Sequence, residues 1–129
     1  MAVPYIVTPK GNPGNPDAPR KFYAQARSAG EVSFKKLSKE ICEGNSTVSD
    51  TDTMAVLNEL IKVLRRNLSQ GRIVRLGDFG CLQVSLSSDG AETEAQFNQS
   101  LINKAKVGFR PGLDLRNMLT TLKYTKVKR

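Results

Sequence analysis

The sequence of 129 residues contains no histidine, no tryptophan and only two cysteines, Cys42 and Cys81. Without histidine, the chain cannot form a Cys₂His₂ zinc finger, a Ser-His-Asp triad or a Cys-His nucleophile. The cysteines lie far apart and not in a C-x-x-C pair, so each is expected to be a small apolar core residue, and no disulfide is expected. No activated nucleophile, phosphate-binding loop or pair of carboxylates is recognisable. We therefore expect a non-catalytic protein without a metal or other cofactor and without a small-molecule substrate.

Long apolar runs are also missing. None approaches the length of a membrane span, and the first twenty residues lack the charged start and apolar core of a secretory signal. The sequence therefore predicts a cytoplasmic protein without a membrane partner. With 129 residues it is expected to form one main domain.

Charge is unevenly distributed along the chain. Lys and Arg total 20 and Asp and Glu total 12, which gives a net charge of +8. Residues 83–103 contain no basic and three acidic residues, whereas residues 104–129 contain eight basic residues and one acidic residue. A clustered basic excess predicts a polyanionic partner, with nucleic acid favoured over an acidic membrane. A solvated surface with a basic tail is the alternative.

Two segments have the periodicity of amphipathic helices. A first helix is expected to begin after Ser33 as N-cap and to end at Gly44, and a second to begin after Ser49 and to end at Gly71. The second has two adjacent apolar stripes, a width that indicates a central helix or one packed on two partners. Dimerisation is the inference, and a monomer with a deeply buried helix is the alternative. The stripes are Met54, Leu57, Ile61, Leu64 and Leu68, and Val56, Leu60 and Val63.

Strand patterns occupy much of the remaining chain. Residues 5–7 and 21–27 have short strand patterns on either side of residues 9–20, where four of the six prolines indicate an extended connector. The stretch "RIVRLGDFGCLQVSLSS" predicts two strands joined at Gly77-Asp78, and "KAKVGFR" predicts a third, followed by a short closing helix. The polar stretch between the second and third of these strands is interpreted as a mobile arm, at about residues 87–101. The fold class is therefore α+β.

This order of elements resembles the HU and integration host factor family of bacterial histone-like DNA-binding proteins. Gly77, Phe79 and Gly80 match the family's Gly-Phe-Gly element with Asp78 inserted, and residues 109–112 match its Phe-Lys/Arg-Pro-Gly element. The resemblance covers about residues 32–123. The stretches "NPGNPDAP", "KFYAQ" and "SSDGAETE" are similar to the HU-related branch of Bacteroides-type bacteria. We therefore predict an N-terminal extension at 1–31, an HU-like domain at 32–123 and a basic C-terminal tail at 124–129.

The resemblance implies a helical hairpin, a three-stranded antiparallel sheet with an arm, and a short C-terminal helix. It further implies an intertwined homodimer whose sheets form a basic saddle on double-stranded DNA, with β-arms in the minor groove and a role in organising the nucleoid. The residues agree in part, because alternation places Lys104, Lys106 and Arg110 on one strand face. A glycine among them would let a DNA backbone approach, and the helix start after it would bind phosphate through free amides. The predicted DNA-binding residues are Arg75, Lys104, Lys106, Gly108, Arg110, Pro111, Gly112 and Arg116.

The arm departs from the family, and other interpretations stay open. Family arms carry arginines and a wedging proline, whereas residues 83–103 have neither and contain three acidic residues, so kinking of DNA is in doubt. For Lys104 and Lys106 the alternative is an ordinary solvated edge, and for Arg110 it is an ion pair with Asp114. The alternative function is a protein-interaction scaffold that kept the fold and lost DNA bending. RNA binding is disfavoured by the scarcity of stacking aromatics.

Overall fold

The computed structural model of the chain describes residues 2–44 and 47–128. These residues form a mixed α+β structure with three α-helices and two small sheets. The chain divides into two compact units: unit 1 contains the residues up to Ser33 and from Leu119 onwards, and unit 2 contains Phe34–Met118. The elements in chain order are β1 (Val3–Lys10), β2 (Lys21–Ala26), α1 (Phe34–Gly44), α2 (Asp50–Ser69), β3 (Val74–Arg75), β4 (Gly80–Ser88), β5 (Ile102–Pro111), α3 (Leu113–Thr120) and β6 (Tyr124–Lys126).

Unit 1 is a sheet of order β2-β1-β6. β1 and β2 pair antiparallel with a regular register that runs from Tyr5 opposite Ala26 to Lys10 opposite Lys21. β6 lies parallel to β1, with Val3 opposite Tyr124. The two strand patterns near the N-terminus are thus confirmed, and both strands belong to one sheet.

Two parts of unit 1 differ from the sequence-based expectation. The proline-rich residues 11–20 do not extend away but close the β1–β2 hairpin, because the Asn12 and Asn15 side chains accept hydrogen bonds from loop amides. Residues 124–126, taken as part of a basic tail, form β6, whose three residues are too few to give a recognisable local pattern. Arg129, the last residue of that predicted tail, lies outside the described residues. The divisions at 31/32 and 123/124 stay predictions.

The helices of unit 2 follow their apolar periodicity. Ser49 caps α2 as expected, since its side chain accepts a hydrogen bond from the Asp52 amide. The last turn of α2 gives way to Gly71, whose φ of 79° is the left-handed conformation favoured by glycine. α1 and α2 are joined by polar contacts: the buried Ser38 hydroxyl donates to the backbone carbonyl and the carboxylate of Asp50.

The sheet of unit 2 has the order β3-β4-β5 and is antiparallel throughout. A 3₁₀ turn at Gly77–Phe79 joins β3 to β4, and the Leu76 amide donates to the Gly80 carbonyl across it. Phe79 packs against Phe109 of β5 with ring centroids 5.4 Å apart. The two glycine- and phenylalanine-containing motifs therefore meet in space and hold the turn against the strand.

The single chain has no buried apolar core within its described residues. No hydrophobic side chain there is fully buried, whereas Val56 of α2 is 65% exposed and Val107 of β5 is 60% exposed. Cys42 and Cys81, expected as core residues, are unpaired and half-buried. The structure does not agree with a monomer built around a deeply buried α2, since Val56, Leu60 and Ile61 are all exposed.

Candidate nucleic-acid interface

The strand register of the β3-β4-β5 sheet places basic side chains on one face of that sheet. Arg75 of β3 lies opposite Cys81 of β4, which in turn lies opposite Arg110 of β5. Lys106 and Lys104 follow Arg110 at alternate positions of β5 and therefore project from the same side. We call Arg75, Lys104, Lys106 and Arg110 the basic face.

The four cations of the basic face are exposed and unpaired within the described part of the chain. No carboxylate oxygen lies within 4.0 Å of their side-chain nitrogens, so the alternative ion pair between Arg110 and Asp114 is not formed. Unpaired cations that share one face repel each other, and their field attracts a polyanion. This arrangement suits a row of phosphates better than a single small anion.

A second row of polar side chains lies beside the lysines. Cross-strand partners share a face of an antiparallel pair, so β4 contributes hydroxyl and amide groups to the same surface. The sequence predicted this strand but did not assign its polar side chains to the site, because the register that brings the two strands together is not local. The pairs are Gln83 with Gly108, Ser85 with Lys106, and Ser87 with Lys104.

Gly108 is an open position on this surface. A Cβ atom built on it would have the Gln83 carbonyl oxygen, at 3.8 Å, as its only neighbour within 4 Å. The fold therefore does not require glycine there, and an added methyl group would project only toward whatever approaches the face. The expectation that Gly108 admits a close DNA backbone stays a prediction.

Gly112 has a different role. A Cβ atom at this position would lie 2.3 Å from the Asp78 carbonyl oxygen, and the Gly112 amide donates to the Phe79 carbonyl oxygen at 2.8 Å. The residue thus closes the contact between the turn and the end of β5, where Pro111 lies opposite Gly80. Its own amide is not free to bind a phosphate, in contrast to what a helix start suggests.

The start of α3 offers weaker binding groups than expected. Asp114 lies in its first turn, where a carboxylate stabilises the helix dipole but repels an anion. Arg116 turns back toward the same end, with its Nε 3.4 Å from the Gly112 carbonyl oxygen. The structure thus brings Arg75, Lys104, Lys106, Gly108 and Arg110 together and gives Pro111 and Gly112 structural positions at the border.

The arm is folded and acidic. Thr93 and Asn98 cap two 3₁₀ turns, and the Asp89 amide donates to the Leu101 carbonyl oxygen at 2.9 Å. Asp89 also accepts a hydrogen bond from the Asn103 side chain. With Glu92 and Glu94 close by in sequence and no cation in residues 83–103, the arm is a poor match for a DNA groove.

Two other features are absent from residues 2–44 and 47–128. No cluster of three or more carboxylate or cysteine side chains is arranged there to hold a metal ion. No helix in that part combines the length and the hydropathy of a membrane span.

The sequence matches the model of the HU-HIG family, described as "HU domain fused to wHTH, Ig, or Glycine-rich motif", over residues 1–126. Among solved structures, the chain is similar to the crystal structure of a "Putative bacterial DNA binding protein" from Bacteroides vulgatus ATCC 8482, with a TM-score of 0.65 and 16% identity. The match covers 98% of this chain and 48% of that protein, so the chain spans about half its length. At this identity the likeness concerns the fold. No curated protein matched the sequence.

Proposed function

Because the chain belongs to the HU-HIG family, an HU-type family, we propose that it binds double-stranded DNA through the basic face, without catalysis and largely independently of sequence. The observation that carries this proposal is the placement of four exposed, unpaired cations on one face of the β3-β4-β5 sheet. Phosphates are the repeating anions that such a face can contact.

The two lysines of the basic face support sequence independence. Lys104 and Lys106 are point charges on flexible stems, and the serine hydroxyls opposite them are short donors. Such groups fix the position of a backbone, whereas base readout needs side chains that reach a groove floor. Gly108, which leaves the middle of the face open, favours close approach of the sugar-phosphate backbone.

The active form is proposed to be an intertwined homodimer. The accessible surface of the single chain is 10897 Å². A compact monomer of this mass would expose about 6,800 Å², and two separate compact units divided as this chain divides would expose about 8,000 Å². The excess of about 3,000 Å² per chain, or about 6,000 Å² for two chains, lies at the upper end of what obligate dimers bury.

The exposed apolar residues indicate which surfaces a second copy would cover. On the sheet face opposite the cations, Leu86 is 62% exposed and Val107 is 60% exposed. On α2, Val56 and Ile61 are more than half exposed. A partner that packs its α1 and α2 against this side would form the missing core. The basic face of each copy would stay open, and the two faces together would form a saddle with twice the number of cations. The proposed location is the cytoplasm, on the nucleoid.

A protein-interaction scaffold is the second candidate, and the acidic arm favours it. The arm tip combines the carboxylates of Glu92 and Glu94 with Phe97, which is 41% exposed. A surface of this composition suits a basic protein partner better than DNA. In that case the chain would keep its fold and dimer but would show no duplex affinity at moderate salt.

The test of the proposed function is the affinity for a random-sequence duplex measured against salt concentration. If the protein contacts Z phosphates, log affinity should fall against log salt with a slope of about −0.9Z. A slope that corresponds to several phosphates, equal for two unrelated duplexes, is expected. Absence of binding at low salt would reject DNA binding and leave the scaffold as the better account.

A further inference from the structure

The end of the β1–β2 hairpin has a second concentration of positive charge. Lys10, the last residue of β1, lies directly opposite Lys21, the first residue of β2, and Arg20 precedes Lys21. All three side chains are exposed. Like charges at directly opposed positions of an antiparallel pair destabilise the pairing, so this arrangement is unfavourable in the absence of an anion.

No acidic partner in the described residues relieves this repulsion. Asp17 is the only carboxylate between Pro9 and Ala26, and it forms no ion pair with Lys10 or Lys21. Its backbone amide is bound to the Asn15 side chain within the loop. Among the described residues, the cationic end of the hairpin therefore has no carboxylate partner.

The surface around these cations is concave, and hydrogen bonds within the loop hold it. The Asn12 side chain accepts from the Gly14 amide at 2.9 Å, and the Asn15 and Ala18 amides close successive turns. A loop held in one conformation before binding loses little entropy when a ligand arrives. The concave surface is lined by Lys10, Gly11, Pro13, Pro19, Lys21 and Tyr23.

Tyr23 adds a group that suits a nucleotide. It lies two residues beyond Lys21 on the same face of β2 and is 48% exposed. Its hydroxyl can donate to a phosphate oxygen, and its ring offers a surface for an unpaired base or a sugar. A cation pair beside a half-exposed tyrosine matches a nucleic-acid backbone more closely than a carboxylate ligand.

From this geometry we propose that the end of the β1–β2 hairpin, formed by Lys10, Arg20, Lys21 and Tyr23, binds the phosphodiester backbone of nucleic acid. The site lies entirely in unit 1, whereas the basic face belongs to unit 2. It also differs from the arm between β4 and β5, which carries three carboxylates where this hairpin carries three cations. In this chain the end of the β1–β2 hairpin, and not the end of the arm, contacts nucleic acid.

The proposal is tested by NMR titration of the ¹⁵N-labelled full chain with a 16-base-pair duplex. The amides of Gly11 and Gly14 report on the hairpin, and the amide of Gly108 reports on the basic face. Shifts at both places support both sites. Shifts at Gly108 alone would overturn the hairpin site and leave the proposed function in place. Shifts at Gly11 and Gly14 alone would overturn the basic face and leave the hairpin site in place. Shifts at neither place would overturn both. Inorganic tripolyphosphate is the comparison probe, and equally strong shifts with it would show a site for free phosphate instead.

A pair of variants separates binding from folding. Lys10→Gln with Lys21→Gln keeps most of each side chain and removes the repulsion, so the free protein should be at least as resistant to urea as the wild type. At 0.1 M salt, each chain that carries the two substitutions loses two phosphate contacts, which should weaken duplex affinity about 60-fold per chain. The control is Lys35→Gln with Lys39→Gln on α1, which removes the same charge elsewhere. Equal affinities for the two double variants would overturn the proposal.

Discussion

The prediction that best tests the basic face is the double substitution Lys104→Gln with Lys106→Gln. Both lysines are exposed, make no ion pair with a described residue and lie opposite serines, so their loss should leave the sheet intact. Glutamine keeps most of the stem and the polarity of each position. The change should therefore act on binding and not on folding.

The magnitude follows from the number of cations removed. Each lost phosphate contact lowers the salt slope by about 0.9, so a dimer that loses four contacts should lose about 3.6 from its slope. At 0.1 M salt that corresponds to about 4,000-fold weaker binding, if each contact acts only through counterion release. The loss should be the same for duplexes of unrelated sequence, because backbone contacts carry no base information.

Fluorescence anisotropy with two unrelated labelled duplexes, each over a range of salt concentrations, gives both quantities. Lys35→Gln with Lys39→Gln is again the matched control and should keep the wild-type slope. A wild-type slope in the Lys104/Lys106 variant would refute the assignment of the basic face. A loss confined to one of the two duplexes would refute sequence independence.

Three further predictions concern the glycines, the dimer and the arm. Gly108→Ala should have the urea midpoint of the wild type but bind duplex DNA more weakly. Gly112→Ala should lower the urea midpoint, because its Cβ would lie 2.3 Å from the Asp78 carbonyl oxygen. Equal urea midpoints for the two variants would contradict this contrast. Light scattering should give twice the chain mass, and Val107→Glu should cost about 1–3 kcal/mol of stability in a dimer but under about 0.5 kcal/mol in a monomer, where this side chain is exposed. Energy transfer between labels at the two ends of a duplex should be unchanged when the protein binds, because the acidic arm supplies no cation to a groove. A large rise in energy transfer would show that the DNA is bent and would contradict the role given to the arm.

Sequence reasoning succeeded where the signal was local. The apolar steps of α2, its cap at Ser49 and the alternation of β5 are properties of neighbouring residues, and the structure has all three. It failed where partners are distant in sequence. β6 is three residues long and pairs with a strand about 120 positions away, and no local pattern indicates such a pairing.

The same distinction applies to the candidate site. Alternation placed Lys104, Lys106 and Arg110 on one side, and Arg75 was predicted to add to them, but its position opposite Cys81 follows from the register. Gly108 and Gly112 are indistinguishable as letters in "VGFRPG". The difference between them, open space at one and the Asp78 carbonyl at the other, depends on a turn some thirty residues earlier.

The parallel pairing of β6 with β1 sets an order of events during synthesis. β1 and β2 can form only a two-stranded hairpin, which is marginal in water, until Tyr124–Lys126 has left the ribosome. Unit 2, from Phe34 to Met118, is complete before that point, and its strand pairs span short stretches of chain. The strand pairs of unit 2 should therefore form before β6 completes the sheet of unit 1.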